Sequence, residues 1–282
     1  MLSNEWFSMT STTMCQTFPN RMFMFAGTSQ GSVSTDVPER ALSSPPKTGT
    51  IFDRLNAKGI SWKNYVVDLG DSMLWGPTYF ASQAPLHFGS VAEFYAEAAT
   101  GLLPALSVIS PDAQEASEEN PQNVSIGEAF VWSVANAVLT SPAWSSTMLL
   151  ITYDEHGGYY DHVPPVPVPN PDGTHPAVPN YLPDDFTYTG FRVPTIVVSP
   201  WAKKNFVSHT AYDHTSVLAF MERKWDLPPL TKRDAAAADM SDLFDFSQPS
   251  FATPPKLPQP NVTDETLKCV QAGQRPIAVP GA

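Results

Sequence analysis

The stretch Thr147-Met148-Leu149-Leu150-Ile151-Thr152-Tyr153-Asp154-Glu155-His156-Gly157-Gly158-Tyr159-Tyr160-Asp161-His162 sets the architecture. Residues 147–153 form a continuous apolar and β-branched run, the pattern of a strand covered on both faces. The run empties directly into Asp, Glu and His, then two glycines, then a second Asp-His pair. In open α/β sheets, ligands bind beyond the carboxyl ends of such strands. Three side chains bearing oxygen or nitrogen donors at one strand tip are costly unless a cation or a substrate compensates them. Hard oxygen donors suit Mg, Ca or Mn, and an added imidazole widens the choice to Zn or Fe. The glycines let backbone and ligand come close. The same residues also read as an ion-paired surface, with Asp161 capping a turn.

Outward from this stretch, apolar periodicity alternates between strand and helix. Residues 22–26 (Met-Phe-Met-Phe-Ala) read as a buried strand, followed at once by Gly27-Thr28-Ser29. Residues 51–58 read as a helix stopped by Gly59. Residues 62–67 read as a strand, 91–99 as a helix with Phe94 and Ala98 on one face, and 105–109 as a strand. Ser125-Ile126-Gly127-Glu128 fits a capping box. Behind it, Ile126, Phe130, Val134 and Val138 build one apolar helix face. Residues 193–199 read as another buried strand. Residues 214–225 read as a helix with Val217, Leu218, Met221 and Trp225 inward. This alternation predicts parallel strands joined by helical crossovers, hence a doubly wound α/β domain.

The chain has 282 residues and a formal net charge of −12, so no basic surplus exists to track nucleic-acid phosphates. With 29 prolines and 15 glycines it is rich in stiffened loops. Residues 164–183 hold eight prolines, a loop expected to run over the surface as extended chain and to shape a pocket rim. Residues 41–49 form a second loop. Residues 1–226 are expected to form the core, and 227–282 a Pro- and Asp-rich extension ending in a loosely held tail. Cys15 and Cys269 pair only if the fold brings them within reach. No apolar run reaches membrane length, and residues 1–16 lack the basic start and apolar stretch of an export leader.

The segment from Asp154 to Pro165 resembles the signature of the phosphoesterase family that contains non-haemolytic phospholipases C and related acid phosphatases. Three further stretches fit in family order: Pro19-Asn20-Arg21 before Gly27-Thr28, Glu119-Asn120-Pro121-Gln122-Asn123 before Gly127-Glu128, and Ser208-His209-Thr210-Ala211-Tyr212-Asp213-His214-Thr215-Ser216 at a helix start. The resemblance implies an alkaline-phosphatase-like α/β/α sandwich with a mostly parallel central sheet. It implies a divalent metal ion of unspecified identity, held by Asp154, Glu155 and Thr28. It also implies Thr28 as nucleophile, with Ser29 as fallback, and a proton donor among His156, His162 and His214. Asn123, His162 and Ser29 would contact substrate.

The expected reaction is phospholipase C-type cleavage of a glycerophospholipid phosphodiester. The alternatives are phosphomonoester hydrolysis, or an inactive family member serving as a binding module. The substrate would be a small molecule or a phospholipid, and any membrane contact would be peripheral and would not rest on overall charge, because a surface of charge −12 is repelled by anionic lipid. Plant-type members carry histidines where this chain has Asn120 and Asn123, and the Asn version resembles a bacterial branch. The family's amino-terminal Glu-Asn-Arg-Ser-Phe-Asp motif, which completes its metal site, is absent from these residues. The chain is therefore expected to correspond to the carboxyl-terminal part of a phosphoesterase.

Overall fold

The computed structural model describes residues 2–3, 6–7, 16–35, 44–67, 74–111, 116–119, 122–176, 185–260 and 262. Cys15, Cys269, Asn120, much of the 41–49 loop's start and most of the carboxyl-terminal tail lie outside them. In chain order the elements are β1 (Leu2–Ser3), β2 (Trp6–Phe7), α1 (Thr17–Ala26), α2 (Ile51–Lys58), β3 (Trp62–Val66), α3 (Gly76–His87), β4 (Phe88–Ser90), α4 (Val91–Thr100), β5 (Leu106–Ile109), α5 (Val124–Thr140), β6 (Leu149–Thr152), β7 (Thr195–Val198), β8 (Val207–Ser208), β9 (Tyr212–Asp213), α6 (His214–Trp225) and α7 (Lys232–Ala236). Among the described residues no helix is long and apolar enough to cross a membrane.

Parallel pairing is confirmed in one sheet and corrected in another. Strands β4, β3 and β5 form a parallel three-stranded sheet in that order, with α3 and α4 as the intervening connections. Strands β6 and β7, however, pair antiparallel, within a sheet ordered β6-β7-β1-β8. The reason lies in the connection. Parallel strands need a crossover, usually helical. Between β6 and β7 the proline-rich segment contributes no described helix, and it carries the chain back in the opposite direction.

β6 is packed on both faces, as its sequence predicts. Leu149 and Ile151 meet the cluster of Tyr65, Phe94, Ala98, Val134 and Val138, while Met148 and Leu150 meet that of Val193, Val197, Tyr212 and Phe244. Helices α2, α4 and α6 lie where their periodicity places them, and Gly59 and Gly101 end the first two in the left-handed conformation. The cap of α5 differs from expectation. Asn123, not Ser125, is the N-cap, and its side chain accepts a hydrogen bond from Ser125 N at 3.0 Å.

The largest local correction is α1. Residues 22–26 are helical, not a strand. Five apolar residues in a row carry no period of their own. The period emerges only with Phe18: positions 18, 22, 25 and 26 share one face and pack in the cluster with Ile51, Leu55, Trp75 and Leu218. Phe23 points the other way, against Val33 and Phe186. Gly27 ends the helix at φ 70°, where glycine avoids the left-handed penalty of L side chains.

Some described residues from Leu227 onward belong to the same core. Leu227 and Leu230 join the cluster that packs α1. Arg233, 1% exposed, bonds Asp213 Oδ2 through Nε at 2.9 Å and donates to the Phe186 carbonyl at 3.1 Å. Asp234 accepts from the backbone N–H groups of Leu230 and Thr231 at 2.7 and 2.9 Å. Beside it, burial first and then the Asp234 carboxyl push Glu222 up to about 8, against the opposing charge of Arg54. Glu222 is therefore held toward its protonated form beside Asp234.

Two outcomes are expected. A Cβ on Gly27 would lie 2.5 Å from Asp234 Oδ1 and 2.8 Å from Thr231 Oγ1, so Gly27→Ala should cost about 1–3 kcal/mol, read as a lowered thermal midpoint. A midpoint equal to wild type would contradict that packing. Glu222 has a folded pKa above its unfolded value, so its contribution is present at low pH and is lost as pH rises toward 8. Glu222→Gln should therefore flatten the fall in thermal midpoint from pH 5 to pH 8, by about 2–4 °C at the upper end. An unchanged pH profile would count against the raised Glu222 carboxyl.

Candidate active site

The sequence puts Asp154 and Glu155 at a strand's carboxyl end, and they follow β6 directly. Asp154 Oδ2 accepts from Arg21 Nε of α1 at 2.7 Å, with both side chains 24% exposed. Glu155 Oε2 accepts from Gly157 N at 2.8 Å, a close turn that Gly157 makes at φ 65°. Burial first, then the negative charges of Asp154 and Glu119, push the Glu155 carboxyl up to about 7. The His156 side chain is 5% exposed, its Nδ1 3.6 Å from Glu155 Oε2 and its ring 5.1 Å from that of Phe191. The strand tip thus holds two adjacent carboxylates with one guanidinium against them.

His214 opens α6 from beneath this tip. It is fully buried, and its Nε2 donates to the Tyr153 carbonyl at 3.0 Å, so it holds the end of β6 in place. Burial keeps its imidazole below the usual range and therefore neutral. His162 is different: its side chain is 80% exposed, with Nδ1 3.6 Å from Asp161 Oδ1. Asp161 takes up the structural reading left open by its sequence. It accepts from Arg192 Nε and Nη2, each at 2.8 Å, and from Val163 N at 3.2 Å, and the arginine holds its carboxyl well below the carboxylate range.

Thr28 follows a helix rather than a strand, one residue past the left-handed Gly27. It is 1% exposed. Its hydroxyl donates to Asp172 Oδ2 at 2.7 Å and accepts from Gln30 N at 3.0 Å. Ser29 is equally buried, and its hydroxyl is spent on the Ser32 carbonyl at 2.7 Å, inside its own turn. The side-chain oxygen of Asn123 serves the α5 cap. Arg21 lies on α1 and Thr28 just beyond its end, but Thr28 hydrogen-bonds Asp172 and Gln30 rather than either carboxylate of the strand tip.

The donor chemistry of Asp154 and Glu155, two adjacent oxygen donors, fits a hard divalent cation as two of its ligands. Among the described residues no group of three or more His, Cys, Asp or Glu converges on one point. A groove of about 450 Å³ lies elsewhere, at Trp62, Leu86, His87, Leu102 and Pro104. A cavity of about 90 Å³ sits beside Tyr212, Asp213 and Ser216. Sequence reasoning missed the roles of Arg21 and Asp172. Each meets its partner across more than a hundred residues, 133 for Arg21 and 144 for Asp172, and no local pattern encodes such a pairing.

Comparison with known proteins agrees with these motifs. The chain is 36% identical over 263 residues to the non-specific phospholipase C6 of Arabidopsis thaliana, covering 86% of this chain and 50% of that protein. It is 34% identical over 275 residues to the non-specific phospholipase C1 of the same plant, covering 91% of this chain and 50% of that protein. Against the non-hemolytic phospholipase C of Pseudomonas aeruginosa it is 29% identical over 289 residues, covering 88% of this chain and 41% of the relative. The chain thus spans about half the length of the curated relatives it matches. The profile of the Phosphoesterase family matches residues 1–228, and the chain belongs to that family.

Proposed function

We propose that this chain carries part of the active site of a phosphoric ester hydrolase, cleaving the phosphodiester of a glycerophospholipid in the manner of a phospholipase C. The observation that carries the reading is the Asp154-Glu155 pair directly after β6, in a chain matched along most of its length by proteins named phospholipases C. Thr28 is the nucleophile. Its hydroxyl is oriented by two hydrogen bonds, whereas that of Ser29 is committed to its own turn.

Asp154 and Glu155 would hold a divalent cation, which when bound supplies positive charge for the phosphate oxygens. The chain's own residues supply the rest. Arg21 fixes the Asp154 carboxylate, Gly157 N fixes that of Glu155, and neutral His214 fixes the strand end through the Tyr153 carbonyl. His156, its side chain 5% exposed, lies beside the pair, and exposed His162 would meet the leaving group or the headgroup.

Two measurements test the reading. Purified protein supplied with divalent metal should release diacylglycerol from phosphatidylcholine faster than it hydrolyses a simple aryl phosphate. In that assay Asp154→Asn should lower turnover by about a hundredfold or more while leaving the thermal midpoint near wild type, since it removes charge rather than apolar packing. Wild-type turnover with metal bound in that variant would refute the role of Asp154. Thr28→Ala should abolish any phospho-enzyme trapped by acid quench, and persistence of the label would move the nucleophile elsewhere.

A further inference from the structure

We propose that the loop carrying Tyr159 and Tyr160 docks this chain on the headgroup layer of a zwitterionic phospholipid bilayer; this rests on the reading of the strand tip as a phospholipase C site. Tyr159 is 64% exposed and Tyr160 87% exposed, adjacent in sequence and a few positions beyond Asp154 and Glu155. Other tyrosines show what the ring does when it serves the fold. Tyr65 and Tyr212 lie in the core, with their hydroxyls on the carboxylates of Glu97 and Asp242. A solitary exposed apolar residue needs no explanation, but two exposed aromatic rings in succession beside a candidate site do.

The loop is built to hold these rings out. Gly157 and Gly158 adopt φ 65° and 76°, and so turn the chain after the end of β6. Tyr159 N donates to the His156 carbonyl at 3.1 Å, which closes that turn. The Tyr159 ring lies over Gly157, where a Cβ would stand 3.0 Å from its Cδ2 and Cε2. Directly after Tyr160, Asp161 is clamped by Arg192, whose Nε and Nη2 each donate at 2.8 Å and whose backbone N donates at 3.2 Å. The rings therefore stand on a loop fastened at both ends, so little ordering remains to oppose binding.

Tyrosine suits the boundary between headgroups and acyl chains, where its ring meets apolar groups and its hydroxyl stays wet. Ring faces also attract the quaternary ammonium groups that choline lipids present. Nearby charge selects the lipid. Asp154, Glu155 and Asp161 flank the loop and the whole chain carries −12, so an anionic bilayer is repelled. Arg21 and Arg192 are already paired to Asp154 and Asp161. Location selects the face. A further exposed aromatic, Phe246, packs beside Phe244 and Trp201, and Trp201 Nε1 donates to the Ser145 carbonyl, before β6 begins. Since β6 and β7 run antiparallel, Phe246 stands at the end of the sheet away from Asp154 and Glu155. A bilayer met there would lie far from the carboxylates, whereas one met through Tyr159 and Tyr160 lies beside them.

The test reads binding without turnover. The purified chain is sedimented with sucrose-loaded vesicles of phosphatidylcholine, and in parallel with vesicles of phosphatidylglycerol. Wild type should bind the phosphatidylcholine vesicles more tightly, with little change between low and high salt. Tyr160→Ala should weaken that binding by about fivefold, and Tyr159→Ala combined with Tyr160→Ala by about twentyfold, the loss of one and of two interfacial rings. Tyr160→Trp should match or exceed wild-type binding, and the fluorescence it adds should be quenched by brominated phosphatidylcholine. Phe246→Ala should bind as wild type does. Each variant changes an exposed side chain, and an unchanged thermal midpoint confirms its fold. The proposal falls if wild type does not bind phosphatidylcholine vesicles or prefers phosphatidylglycerol, if the tyrosine variants bind as wild type does, or if Phe246→Ala loses as much as they do. Any of these leaves the hydrolase reading standing. Vesicle binding without release of diacylglycerol from a soluble short-chain phosphatidylcholine would instead refute that reading and keep the docking loop.

Discussion

The ion pair between Asp213 and Arg233 is the interaction on which the rest of the arrangement depends. Arg233 is 1% exposed and Asp213 6% exposed, so neither charge has water to fall back on. Removing one partner of such a pair leaves a buried charge uncompensated, at a cost of about 3–5 kcal/mol. Asp213 does double duty, because its other oxygen accepts from Thr215 N at 2.7 Å and caps α6. Arg233 reaches on to the carbonyls of Phe186 and Pro169. One contact thus joins the start of α6, the start of α7 and the proline-rich return. Those are the elements that place His214 under the strand tip and Asp172 beside Thr28.

The strand tip itself is a problem in charge. Asp154 and Glu155 are neighbours in sequence, and Glu119 adds a third negative group. The fold answers with one arginine, Arg21, on Asp154 and with a backbone donor, Gly157 N, on Glu155. Burial first, and then the charges of Asp154 and Glu119, outweigh that donor and push the Glu155 carboxyl up to about 7. Perturbed carboxyls of this kind cluster where charge is to be handled rather than merely stored. Asp161, only a few positions on, has the opposite environment, a two-pronged arginine contact, and serves to anchor the loop.

Much of the helical framework was legible because its signals are local. Thr50 and Ser90 begin α2 and α4 with reciprocal caps, and Gly59 and Gly101 end them, so both helices stand where their periodicity indicates. The α1 segment misled because Met22 to Ala26 are apolar on every side, and both faces are buried in different clusters. A strand covered on two faces and a helix covered on two faces look alike over five residues. The antiparallel return from β6 to β7 was hidden for a different reason: strand direction is a property of the connection, and prolines report stiffness without direction.

The sequence by itself determined the carboxylate-rich strand end, the extents of α2, α4 and α6 and the family motifs, since each is a matter of residue type and near-neighbour spacing. Tertiary structure alone decided that Asp154 meets Arg21, that Thr28 meets Asp172, and that Asp161 anchors a loop while Glu155 carries the perturbed carboxyl. Hydrogen bonds across more than a hundred residues depend on how whole elements pack, and burial, which sets the protonation of each carboxyl, exists only once that packing is complete.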